Sequence, residues 1–168
     1  MDRAVARTIA QDSHAGQRDR IGEPLIDHVS RVAAAVPPAA QTTAWLHDLV
    51  ERTGVDPEEL AAQGLTTLER TALDLLTRRA DESFEAYVLR IAHARGAAGD
   101  LARTVKVADL LDHIAREQKG RVAADAPPYR WALRHVDLGP APGFFPPVSA
   151  TSAEVQLESR GSSSASTS

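Results

Sequence analysis

Residues 101–117 read LARTVKVADLLDHIARE, and this stretch decides the fold. Val105, Val107, Ala108, Leu110, Leu111 and Ile114 make it the most apolar helical run in the chain, which predicts a central helix. Lys106 and Asp109 lie inside that run, where an ionisable group without a partner is costly. Elsewhere alanine is frequent, aromatic residues are 4% of the chain and β-branched runs are scarce, so the whole pattern predicts an all-α fold.

Working outward, a first helix is expected over about Asp2 to His14, with Val5 and Ile9 on its apolar face, ending near Gly16. Residues 17–24 read as a loop. Leu25, Val29, Val32 and Val36 follow at helical spacing until Pro37-Pro38 stops them. A third helix is expected from Ala40 to Arg52, apolar at Ala44, Trp45, Leu49 and Val50. Asp56-Pro57-Glu58-Glu59 opens a short helix, with Asp56 as N-cap, Pro57 at the first position and Glu59 placed for a capping box. Leu68, Thr71, Ala72, Leu75 and Leu76 form the next stripe, and Phe84, Tyr87, Val88 and Ile91 the one after, which Gly96 and Gly99 break. A last helix is expected over Pro128 to Val136. Residues 1–137 thus form one domain, and 138–168 a Pro/Gly-rich then Ser-rich tail expected to be largely disordered.

Composition bounds the chemistry. Of the 168 residues, 43% are hydrophobic and 25% charged, enough apolar surface to close a core. No stretch approaches a membrane span, and MDRAVARTIAQD lacks an apolar signal region, so a cytoplasmic protein without a membrane partner is expected. The absence of cysteine excludes disulfides, thiolate zinc sites and Cys nucleophiles, leaving His nitrogens and carboxylate oxygens for any metal. A net charge of −4 argues against duplex nucleic acid as a partner. The sequence leaves the oligomeric state open.

His47-Asp48 stands inside an otherwise apolar helix, Ala44-Trp45-Leu46-His47-Asp48-Leu49-Val50-Glu51. Successive helical side chains diverge by about 100°, yet an imidazole and a carboxylate can still converge on an ion between them. Glu51 lies one turn on, placed to orient a water. Arg52 would either grip a substrate phosphate or project to solvent. His28 and Asp109 complete a set of two imidazoles and two carboxylates, which suits Mn²⁺, Fe²⁺ or Zn²⁺ and leaves open positions for water and substrate. An open site of this kind fits phosphoester hydrolysis. The plainer alternatives are a capping or salt-bridging His-Asp pair, a structural His28, and an Asp109 paired with Arg103 or Lys106. His93 and His135 read as solvated.

The arrangement resembles the HD-domain phosphohydrolases. The residues that carry the likeness are His14-Ala15-Gly16-Gln17, Gly22-Glu23-Pro24-Leu25-Ile26-Asp27-His28, residues 44–53 around His47-Asp48, and Val105-Lys106-Val107-Ala108-Asp109, in the family's order and spacing. Within the family they look most like the alarmone hydrolases of the RelA/SpoT kind and their small stand-alone relatives, over about residues 1–118. The resemblance implies a helical bundle, His28, His47, Asp48 and Asp109 as ligands of Mn²⁺, with Fe²⁺, Zn²⁺ or Co²⁺ as alternatives, and Glu51 beside the attacking water. It also implies a nucleotide as the small-molecule partner, guanosine tetraphosphate in the sharpest version, with Arg18, Arg20, Lys106 and His113 on the substrate side. The chain departs from the family at Arg52, where an acidic residue is usual, and at Leu25, Val29, Asp19-Arg20 and His113. The ligand positions match while the substrate side differs, which points to a changed substrate; a non-catalytic nucleotide-binding module is the competing expectation.

Overall fold

The computed structural model describes residues 1–118 and 127–137, and among these the fold is all-α, with one isolated β-bridge between Arg18 and Pro24. Helix α1 (Arg3–Ser13) starts where the Asp2 carboxylate accepts from the Ala4 amide. It buries Ala6 and Ala10 against α3 (Gln41–Leu46), and these small side chains let the two helices approach closely. Val5, expected on this face, is 41% exposed, because the contact line runs through residues 6 and 10. Helix α2 (Leu25–Ala35) buries Leu25, Val29 and Val32 as expected, and a 3-10 turn (Pro38–Ala40) carries the chain into α3.

The single helix expected over Ala40 to Arg52 is two. Helix α3 stops at Leu46 and α4 (Leu49–Thr53) begins after Asp48, whose φ of −95° and ψ of −7° turn the chain off a regular helical course. The break therefore falls on the His-Asp pair. Helix α5 (Pro57–Ala62) is capped by Asp56 through the Glu58 amide, but Glu59 makes no capping box there, since its own amide bonds the Asp56 carbonyl. The box forms instead between Thr66 and Glu69 and opens α6 (Thr67–Leu76). In α6 the buried residues are Ala72, Leu73 and Leu76, so the stripe is rotated and Leu68 is 45% exposed. Helix α7 (Phe84–His93) buries Tyr87, Val88 and Ile91, and Arg90 bonds the carbonyls of Leu75 and Thr77 at the end of α6.

Helix α8 (Gly96–Gln118) packs against α2, α3, α6, α7 and also α9 (Tyr129–Asp137), so it is central as expected, although over its full length α2, α6 and α7 are more apolar, because its first turns and last turn are polar. Its outlier is Leu111, 49% exposed, because this side of α8 faces a surface groove with Val36, Val107 and Val136. The helix also starts five residues earlier than expected. Gly96 takes the left-handed conformation at φ 76°, but Gly99 is an ordinary, buried helical residue and no breaker. The expected disorder of the tail lies outside the described residues. His93 is exposed as expected, whereas His135 packs on Trp131 with ring centroids 4.1 Å apart.

Glycine at position 99 answers to packing. A Cβ there would stand 2.5 Å from the Ala94 carbonyl oxygen. Alanine is the better helix former by about 1 kcal/mol, but overpacking against a backbone atom costs more. Gly99→Ala is therefore expected to lower stability, by about 1–3 kcal/mol in urea unfolding, despite its higher helix propensity.

Candidate metal centre

Three elements meet at one point because α8 packs on both α2 and α3. Helix α2 brings His28, the break between α3 and α4 brings His47 and Asp48, and α8 brings Asp109 and His113. His28, His47 and Asp109 are buried, and Asp48 and His113 half-buried. Two overlapping triads, His28–His47–Asp48 and His28–Asp109–His113, each hold potential ligand atoms within 4.8 Å of one another. Within them His28 Nε2 lies 3.2 Å from Asp109 Oδ1, and His113 Nε2 also lies 3.2 Å from that oxygen. His47 Nε2 stands 3.5 Å from Asp48 Oδ1 and has no hydrogen-bond partner although it is buried.

Outer hydrogen bonds decide which ring atom faces the centre. His47 Nδ1 donates to the Ala44 carbonyl at 2.7 Å, and His28 Nδ1 donates to Asp112 Oδ2 at 2.8 Å, so both rings turn Nε2 inward. His113 differs. Its Nδ1 lies 3.0 Å from an Arg116 nitrogen, which can only donate, so Nδ1 accepts and the ring proton sits on Nε2, aimed at Asp109. Only His28 and His47 have an outer acceptor on Nδ1, the arrangement that leaves Nε2 for an ion once any proton there is displaced. The donor chemistry thus favours His28, His47, Asp48 and Asp109 over His113 as a ligand set, and the orphaned His47 Nε2 is what a metal-binding ring would leave behind.

The charges around this point are tightly coupled. Burial would push the Asp109 carboxyl up, but the Lys106 ammonium at 2.7 Å and the rings of His113 and His28 hold it well below the usual carboxylate range. Burial likewise opposes ionisation of Asp48, and its place beside the His47 and His28 rings keeps it low. Burial also keeps His47 below its ordinary value, as a neutral ring. For His28 burial is outweighed by hydrogen bonds to Asp109 and Asp112, and its pKa rises to about 9. Lys106 is the partner of Asp109, and Arg103 bonds Asp100 instead. The Lys106 ammonium also sits 4.8 Å from the Tyr87 ring centroid, a cation–π contact that joins α7 to the site.

The centre opens into a cleft of about 1030 Å³, part of it open to solvent. Its lining mixes the cations of Arg20, Arg52, Arg78 and Arg116 with the carboxylates of Asp19, Glu51 and Glu117, and Leu76, Phe84, Pro127 and Tyr129 add apolar surface. Glu51 is exposed on the lining, and its Oε2 accepts from the Arg78 amide at 3.2 Å. Arg52 is also exposed there, and its charge helps to keep Asp48 ionised. Arg18 is turned away. It donates to the Gly22 carbonyl at 2.6 Å, stiffening its own loop, and is not part of the lining.

Asp112, Arg116 and Tyr129 belong to the site and were not singled out as functional in the sequence. Arg116 is buried, pairs with Asp19, and lies 3.3 Å from Asp112, which ties the loop before α2 to α8. The i, i+4 spacing of Asp112 and Arg116 is a signal that a charge-pair reading would have found. Tyr129 stacks on His113 with centroids 4.4 Å apart and 6° between planes, a contact from α9 that no local pattern announces. No protein-family model and no curated protein matches the chain. No helix among the described residues is long and apolar enough to cross a membrane.

The ligand set makes a prediction that separates the two triads. One Mn²⁺ per protomer is expected in the wild type, lost in His47→Ala and Asp109→Ala but retained in His113→Ala, as read by elemental analysis after dialysis. Retention in His47→Ala together with loss in His113→Ala would reverse the assignment.

Proposed function

We propose that the chain is a metal-dependent phosphohydrolase acting on a nucleotide or a related phosphate ester. The observation that most supports this is the buried, unpartnered His47 Nε2, which groups with His28 and Asp48 next to the second triad of His28, Asp109 and His113, in a cleft lined by both arginines and carboxylates. A divalent ion held there, Mn²⁺ by the family resemblance or Fe²⁺, Zn²⁺ or Co²⁺, would supply a water of lowered pKa and polarise a phosphoryl oxygen. The chain's own residues do the rest. Glu51, anchored through Oε2 by the Arg78 amide, keeps its other oxygen for the proton of the attacking water. Arg52 and Arg20 stand on the cleft where a substrate phosphate would enter, while Lys106 holds Asp109 ionised and His113 donates to it.

The sharpest form of the proposal is pyrophosphate removal from an alarmone such as guanosine tetraphosphate, which rests on the HD-domain resemblance. Arg52 favours a different nucleotide, because it sets a cation where that branch carries an acid. It also favours a second reading, a module that binds a nucleotide without hydrolysing it. Release of phosphate or pyrophosphate from guanosine tetraphosphate and a nucleotide panel, with Mn²⁺, separates these readings for wild type, Glu51→Gln, Arg52→Ala and Arg52→Asp. Glu51→Gln is expected to keep its ion while turnover falls by about 10²–10⁴-fold, the contribution of a general base. Arg52→Ala weakens substrate binding, and Arg52→Asp moves activity towards guanosine tetraphosphate. No release by any of the four proteins, each with metal bound, defeats the enzyme and leaves the binding module.

A further inference from the structure

His47 is held in place by a main-chain carbonyl, whereas His28 is held by a side chain, Asp112. That side chain is itself fixed. Arg31, one turn after His28 on α2, reaches Asp112 through Nε at 2.6 Å and a terminal nitrogen at 3.1 Å. Arg116, one turn after Asp112 on α8, places Nε 3.3 Å from its Oδ2, and its other nitrogens bond Asp19 and His113. The carboxylate thus has a guanidinium from each helix and an imidazole between them, and it is largely buried. It lies three residues from Asp109 on the same helix, so α8 supplies one carboxylate to each nitrogen of the His28 ring.

We propose that Asp112 is the positioning residue of this centre: its Oδ2 accepts the His28 Nδ1 proton, fixes the ring orientation through that one bond, and so presents Nε2 to the ion. This rests on the metal-centre reading above. A charged acceptor on the far nitrogen both locks the ring orientation and raises the basicity of the ligating nitrogen. An amide in its place is a weaker acceptor, can turn its NH₂ towards the ring, and leaves Arg31 and Arg116 with a reduced counter-charge.

A purely structural Asp112 would act by tying α2 to α8 through Arg31, and Arg31→Ala removes that tie while leaving the Asp112–His28 bond. The test is Mn²⁺ affinity by calorimetry for wild type, Asp112→Asn, Asp112→Glu and Arg31→Ala, with helix content checked by circular dichroism. Asp112→Asn is expected to bind Mn²⁺ about 10–100-fold more weakly, Asp112→Glu to regain most of that loss, and Arg31→Ala to stay within about threefold of wild type. In ¹⁵N spectra of the Zn²⁺-loaded protein, His28 is expected to carry its proton on Nδ1 in wild type and to lose that fixed state in Asp112→Asn. Wild-type affinity in Asp112→Asn, or an equal loss in Arg31→Ala, overturns the proposal while leaving the metal centre standing. A wild type that takes up no Mn²⁺ overturns the metal-centre reading itself. In that case an exchange-protected His28 Nδ1 proton in the metal-free protein still supports the hold of Asp112 on the ring, and its absence overturns it. If Asp112→Asn does not fold, the Asp112→Glu affinity and the wild-type ring spectrum decide.

Discussion

A single buried anion organises this molecule. The Asp109 carboxylate lies in the middle of the central helix, and it is tolerable there because Lys106, His28 and His113 all point at it. Each partner brings another helix with it. His28 brings α2, Lys106 reaches over the Tyr87 ring of α7, and His113 stacks on Tyr129 of α9. Removing one partner from such an ion cluster leaves an uncompensated charge and typically costs about 3–5 kcal/mol, comparable to truncating a large apolar side chain in the core. The constraint that gathers the candidate ligands therefore also fixes how four helices meet.

The same constraint explains the irregularity at residues 47–48. In a continuous helix His47 and Asp48 would point about 100° apart. Ending α3 at Leu46 and restarting at Leu49 gives up helical regularity over two residues and brings both side chains to one centre. The local cost is small, since the Arg52 amide still finds the Asp48 carbonyl and α4 begins from there.

How much of this was legible in the sequence follows from what each feature depends on. The apolar run of α8, the prolines after Val36 and the alanine-rich, aromatic-poor composition are local signals, and they gave the all-α class and the central helix. Polar residues in apolar surroundings marked His28, His47, Asp48 and Asp109, because burying such groups needs a reason. What stayed hidden depends on partners distant in sequence. Val5, Leu68 and Leu111 match a helical stripe as well as their neighbours do, and only the direction of the adjoining helix decides which are covered. Asp112 and Arg116 look like an ordinary surface pair until α2 and the loop at Asp19 are placed against them. Gly99 looks like a breaker because the closeness of Ala94 cannot be read from the sequence.

The stack of Tyr129 on His113 divides the labour in the cleft. The residues that could hold an ion come from α2, from the turn after α3 and from α8, whereas part of the apolar lining comes from α9, separated from them in the chain by residues 119–126. Substitutions on the face of α9 can reshape what the cleft admits while leaving every candidate ligand in place. The shape of the cleft and the cluster of imidazoles and carboxylates are therefore set by separate parts of the chain.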